Sequence, residues 1–345
     1  MRQEPRLAFC CKFMAPDDDA TVREMNATTV TIAYLNRLGP SAGRDKLVDV
    51  VRHNLGAIRR QIAWAAARPP LERALRLISD VLPAYTHPLW SHLYQESDIR
   101  ELVAVNLAAA GELARKNDVR ISMHPDQFCV LSTAKESALE NAISELEYHA
   151  DVMEMMGYAS GWHPHGAHLN VHGGAKASGI EGFRAGFARL SERARNLVTV
   201  ENDEVSYGLD DLLPLTDTLP IVVDLHHHWI QSRGEYLEPD DPRVTRIAES
   251  WRGVRPMAHI SVSREDLLVD HDATVRPDFA ALAEAGIKAH HLRAHSDLMW
   301  NRAVNDLVRR HLAWTDFEVE AKHKNLASTQ LARFVEETER KMQAA

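Results

Sequence analysis

Cysteine is scarce. Cys10, Cys11 and Cys129 are the three in 345 residues, too few for a disulfide framework and without a CxxC zinc pattern. Cys10 and Cys11 fall on a predicted strand, where neighbours face opposite sides, and both read as small apolar filler. No apolar run approaches the ~20 residues that cross a bilayer. The opening MRQEPRLAFCCKFM lacks the apolar core and cleavage site of a secretory signal, so a cytoplasmic location is expected. Positive charge is also in short supply. The net charge is −9, which argues against holding a polyanion by bulk charge. A Walker A loop, a GxGxxG turn opening a helix and a GxSxG elbow are all absent. That speaks against a nucleotide cofactor and against a serine nucleophile.

What is present is rhythm. Strand-like runs rich in Val, Ile, Leu or Phe lie near 7–13, 74–80, 119–124, 168–173, 197–202, 221–226, 257–262 and 316–321. Such unbroken apolar runs suit strands buried on both faces. Amphipathic patterns fall between them. Over 45–66, Leu47, Val50, Val51, Leu55, Ile58 and Ile62 share one helical face. Residues 98–115, 135–156, 182–195 and 298–311 repeat the pattern. Eight alternating units predict an α/β fold, a (β/α)8 TIM barrel spanning residues 1–345 as a single domain. Residues 264–294 break the rhythm with a helix-like stretch of their own, DFAALAEAG. They read as an insertion between the seventh strand and the last helix pair, on the catalytic face.

The strand-like segments end in residues able to bind metal: His87, His124, His172, Glu201, Asp224, His227, His259, His295 and Glu320. In such barrels the chemistry sits at the strand exits. A buried carboxylate needs a partner or a metal. The tract His226–His227–His228 would be a surface patch if isolated, but beside Asp224 at a strand exit it favours metal. His163, His165 and His168 compete with His172, which is preferred because it ends the apolar strand. Glycines 173 and 174 permit a sharp turn or a close approach. His259 could instead be a satisfied core histidine, and Glu320 could pair with Lys322 or Lys324. Mixed imidazole and carboxylate donors suit zinc, manganese or iron(II).

These segments resemble the UV damage endonuclease family. RLAFCC, VRHNL, RLISDVLPAYTH, RISMHPDQF, VHGG, VENDE, VDLHHH, HIS, HSD and VEAK occur in the family's order across nearly the whole chain. The resemblance implies a (β/α)8 barrel similar in architecture to endonuclease IV and to xylose-isomerase-like barrels. It implies two or three divalent ions, manganese above all, with zinc, magnesium or cobalt as alternatives. Motif by motif it assigns all nine residues above as ligands, and prefers His295 to His271 because His271 falls inside the insertion. The implied activity is metal-dependent hydrolysis of the phosphodiester 5′ to a lesion, such as a UV photoproduct, in double-stranded DNA. Glu201, His124 and His227 would carry the chemistry. Gln127 and Phe128 stand where the family has its DNA-probing pair, with Phe in place of the usual Tyr, and Phe9 stands where a Tyr is common. Met257 replaces a lysine common two residues before the HIS histidine.

No membrane, nucleotide cofactor or obligate protein partner is implied. The alternative is a metal-dependent sugar isomerase or epimerase, which fits the acidic charge better and needs a closed pocket. A lapsed barrel that merely binds DNA or protein is the third reading.

Overall fold

In a computed structural model, residues 4–126 and 129–344 are described. Eight parallel strands close into a barrel in sequence order. They are β1 Leu7–Cys10, β2 Ala74–Leu77, β3 Arg120–Met123, β4 His168–His172, β5 Val198–Glu201, β6 Ile221–Asp224, β7 Met257–Ile260 and β8 Asp316–Val319. Each falls within a predicted run but is shorter. The first run ends at Cys10 because Cys11 turns left-handed, with φ of 65°.

Strand alternation sorts the side chains into two populations. Leu75, Leu77, Ile121, Leu169, Val198, Val200, Ile221, Val223, Ile260, Phe317 and Val319 join the main apolar core. Each such burial contributes about 1.5–3 kcal/mol. The alternate positions point into the barrel, and many are polar: Arg76, Arg120, Ser122, Asn170, Glu201, Asp224, His259, Asp316 and Glu318. Hydrogen bonds and ion pairs cross the lumen between them, as from Arg120 to Asp316 at 2.9 Å and from Ser122 to Glu318. Interiors of this fold are usually filled by Val, Ile and Leu.

Helices Pro40–Ala66, Ser97–Lys116, Glu136–Met155, Gly179–Ala188, Pro242–Ser250, Arg302–His311 and Lys324–Ala344 surround the strands. The predicted face of the first is buried at Leu47, Val50, Val51, Leu55, Ile58 and Ile62. Gly111 lets the second helix seat on the end of the third, because a Cβ there would lie 1.8 Å from the Met156 carbonyl oxygen. The expected 182–195 helix is broken, with a separate turn at Glu192–Arg195.

At the strands' N-terminal end, Asp316 gathers three arginines. Arg120 lies 2.9 Å away, Arg255 2.6 Å and Arg6 3.7 Å. The fully buried Trp251 donates its indole N–H to the Ile221 carbonyl at 2.9 Å and sits 5.3 Å from the Arg120 guanidinium. Met257 packs beside it with Val222 and Val254. The position where a lysine is common is therefore part of a small apolar cluster beside those charges.

Residues 264–294 leave β7 and return through an antiparallel bridge between Ser263 and His295. They carry the helices Phe279–Glu284 and Ala289–Leu292. Phe279 and Leu292 pack on Trp229 and Ile230. No helix among the described residues is long and apolar enough to cross a membrane.

Candidate metal centre

Glu201, at the last position of β5, is the hub. It is 1% exposed. Its Oε2 accepts from the Asn170 amide and lies 3.2 Å from His124 Nε2. Its Oε1 lies 3.1 Å from His259 Nδ1 and 3.4 Å from His227 Nδ1. Burial alone would raise the Glu201 carboxyl, but His259, His172, His124 and His227 outweigh it and hold the group well below the carboxylate range.

The neighbouring strand exits supply the rest. His124 follows β3, and its ring lies 5.1 Å from that of His172 on β4. A Cβ on Gly173 would meet the Tyr207 ring at 2.6 Å, and Gly174 has φ of 89°. The two glycines thus serve close approach and turning, one each. Asp224 ends β6 and caps the helix Leu225–Gln231, with Oδ1 accepting the His227 backbone N–H at 2.7 Å. Burial pushes its carboxyl up, against the pull of His227. Asn202 fastens this exit by accepting from the Asp224 N–H and donating to its carbonyl. Glu320, just past β8, lies 2.5 Å from Arg76 and 3.5 Å from His259 Nδ1. The His295 ring lies 6.4 Å from that of His227.

Among the described residues, two ligand-capable groups have donor atoms within 4.8 Å of one another: His124, His172 and Glu201, and Glu201, Asp224 and His259. The hydrogen-bonding pattern asks for a cation. His124 Nδ1 lies 2.8 Å from the Pro125 carbonyl, which can only accept, so Nδ1 carries the proton. A neutral His124 then turns a bare Nε2 lone pair toward the Glu201 carboxylate, which is stable only with a proton or metal between them. His227 has Nδ1 at 3.1 Å from the Asn202 carbonyl and Nε2 at 3.6 Å from Glu204, and against the effect of burial Asp224 and Glu201 hold its ring well above the ordinary histidine range. A ring nitrogen fixed by a carbonyl, leaving the other free, is how metal-binding histidines are oriented. Asp224 Oδ2 and His172 Nδ1 are buried without a hydrogen-bond partner. The donor set thus fits a divalent ion.

Other expectations fare differently. His87 belongs to neither of these two groups. Its Nδ1 accepts from the Leu89 N–H at 3.2 Å, because β2 ends at Leu77 and the chain reaches His87 only through a run of turns. Phe9 is 1% exposed and packs edge-on to Trp64 at 5.5 Å. It is a core residue, which corrects the expectation that it probes DNA. Gln127 and Phe128 lie outside the described residues. His163 and His168 are buried and bond to the backbone carbonyls of Ala167 and Gly166, away from the mouth. His271 lies against Trp300 within the insertion.

Sequence reasoning missed Arg76, Asn170, Asn202, Glu204 and Glu318. Three had a readable signal. Arg76 interrupts an apolar strand, Asn170 alternates with His172, and Glu318 alternates with Glu320.

Fold and site together define a (β/α)8 barrel whose mouth is a ring of histidines and carboxylates suited to metal. The chain belongs to the UV-endonuclease UvdE family, whose model matches residues 5–344. A UV DNA damage endonuclease of Bacillus velezensis is 28% identical over 325 residues, covering 90% of this chain and 88% of the relative. One from Bacillus cereus is 31% identical over 244 residues, covering 68% and 72%. The crystal structure of SacUVDE superposes with a TM-score of 0.73 at 21% identity, covering 97% of this chain and 99% of that one. It shares the fold.

Proposed function

We propose that this protein is a divalent-metal-dependent DNA repair endonuclease that hydrolyses the phosphodiester 5′ to a lesion such as a UV photoproduct. The observation that carries the metal dependence is the Glu201–His124 contact, in which a carbonyl-fixed imidazole turns its free nitrogen to a buried carboxylate. Family membership supports the substrate and speaks against a sugar isomerase.

Bound divalent ions, manganese first among two or three, supply Lewis acidity that acidifies water and offsets charge on phosphate oxygens. In this reading His124, His172, Asp224, His227 and His259 hold the ions, with His295 and Glu320 at the rim. Glu201 orients the attacking water. A bond forms from the water oxygen to phosphorus as the bond to the 3′-oxygen breaks, leaving a 3′-hydroxyl and a 5′-phosphate. Gln127 and Phe128 wedge into the duplex, where a damaged step costs less to unstack. The cytoplasm is the proposed place of work.

The test is a nicking assay on supercoiled plasmid. With Mn²⁺ the protein should nick UV-irradiated plasmid in preference to undamaged plasmid, EDTA should stop it, and Glu201→Gln should slow it by at least about 10³-fold. If both plasmids stay intact with manganese, zinc, magnesium and cobalt, the endonuclease reading fails. Cleavage of abasic DNA alone would replace the photoproduct as substrate.

A further inference from the structure

We infer that Glu318 is a positioning residue for the metal centre, gripping the His259 ring from beneath so that its Nδ1 edge faces Glu201 and Glu320. This rests on the metal-dependent reading above.

Glu318 is 0% exposed and lies on β8 directly opposite His259 on β7. Its Oε1 accepts from the Ser122 hydroxyl. Its Oε2 accepts from Arg76 Nη1 at 3.2 Å and faces His259 Nε2 at 3.1 Å, an ion-pair contact rather than an aligned hydrogen bond. His168 Nε2 lies 3.8 Å from Oε1. With both oxygens engaged below the mouth, this carboxylate is poorly placed to be a ligand itself. It is well placed to act through His259, whose opposite edge lies 3.1 Å from Glu201 and 3.5 Å from Glu320. An imidazole bound to metal through one nitrogen gains basicity and a fixed orientation when the other donates to a carboxylate. Arg76 completes the arrangement, because the same Nη1 reaches both Glu318 and Glu320 and ties the lower carboxylate to the upper one. A filler role explains this poorly. A carboxylate at this depth costs several kcal/mol to desolvate, and barrel interiors are commonly filled by apolar side chains.

The test compares wild type and Glu318→Gln after EDTA stripping. Mn²⁺ affinity is read by calorimetry, and folding of both stripped proteins by circular dichroism. ¹⁵N NMR of the diamagnetic Zn²⁺-loaded wild type reads which nitrogen of His259 carries the proton. The expected results are a Kd raised about 10-fold or more in the folded variant, and a wild-type His259 protonated at Nε2. An unchanged Kd in a folded variant, or a His259 protonated at Nδ1 in the loaded wild type, overturns the proposal. If Glu318→Gln does not fold, the wild-type tautomer decides alone. A wild type that takes up neither ion sinks this inference and the metal-dependent reading together. A wild type that binds beside an unaffected variant sinks only this one.

Discussion

The two ends of the barrel interior bury similar charges in opposite ways. At the floor, one carboxylate, Asp316, is surrounded by Arg6, Arg120 and Arg255. At the mouth, Glu201, Asp224 and Glu320 crowd together with histidines, and the arginine in contact is Arg76, reaching Glu320 from below. Stability comes from the floor, where every charge has a partner in the chain. The mouth pairs its carboxylates with histidines, which hold the Glu201 carboxyl low and can give up their protons to a cation. Removing a charge should therefore cost more at the floor than at the mouth.

The largest effect is expected at the floor. Asp316→Ala leaves Arg120, deep in the barrel, and Arg255 without a carboxylate, while Arg6 keeps Asp118, and breaking a buried pair costs about 3–5 kcal/mol. Urea unfolding of the metal-free protein should show that loss, whereas Glu201→Gln should cost clearly less, because the histidines around it can release their protons. If both substitutions destabilise equally, the contrast between the ends is wrong.

Acid should cost the floor stability through His168. Burial and Arg120 push the His168 imidazole down to about 3, against the pull of Glu318. A histidine depressed below its unfolded value of about 6.5 contributes stability that is whole above that pH and is lost as pH falls toward 3. His168→Gln should flatten the fall in unfolding free energy between pH 6.5 and 4, measured by urea titration at each pH. A parallel curve would show that His168 is not a neutral buried group.

The smallest effect is expected at Met257. If this side chain only fills the floor against Trp251 and Val222, Met257→Leu should cost less than about 1.5 kcal/mol and leave Mn²⁺ affinity unchanged. A change in affinity would link the missing lysine to the metals after all.

How far these ends could be read from sequence follows from the range of the interactions. The eight strands were visible because each is buried on both faces and leaves an unbroken apolar run. Their ends were overextended because apolar residues such as Phe13 continue past Cys10 and stay buried against Phe9 and Trp64. The helices Asp19–Met25, Ile32–Leu38 and Lys324–Ala344 went unread, the first two because seven residues carry little periodicity. Ligand positions directly after a short strand were readable, as for His124 and His172. His87 was not, since turns between Leu77 and His87 decide where its ring goes. The floor was wholly hidden. Arg120 and Asp316 are 196 residues apart, and only barrel closure brings them together. Phe9 was decided by parity, for Leu7 and Phe9 face the helices while Cys10 faces Arg76 and Glu318.

The central claim is that the mouth is built to take a cation that the floor neither needs nor accepts. Calorimetric titration of Mn²⁺ into the EDTA-stripped protein tests it most directly, with Glu201→Gln alongside. The account predicts saturable uptake of about two or three ions by the wild type, with stability rising by about 2.7 kcal/mol per site at a hundredfold excess over Kd, and weakened uptake by the variant. Absence of saturable uptake by the wild type, or equal uptake by Glu201→Gln, would contradict it.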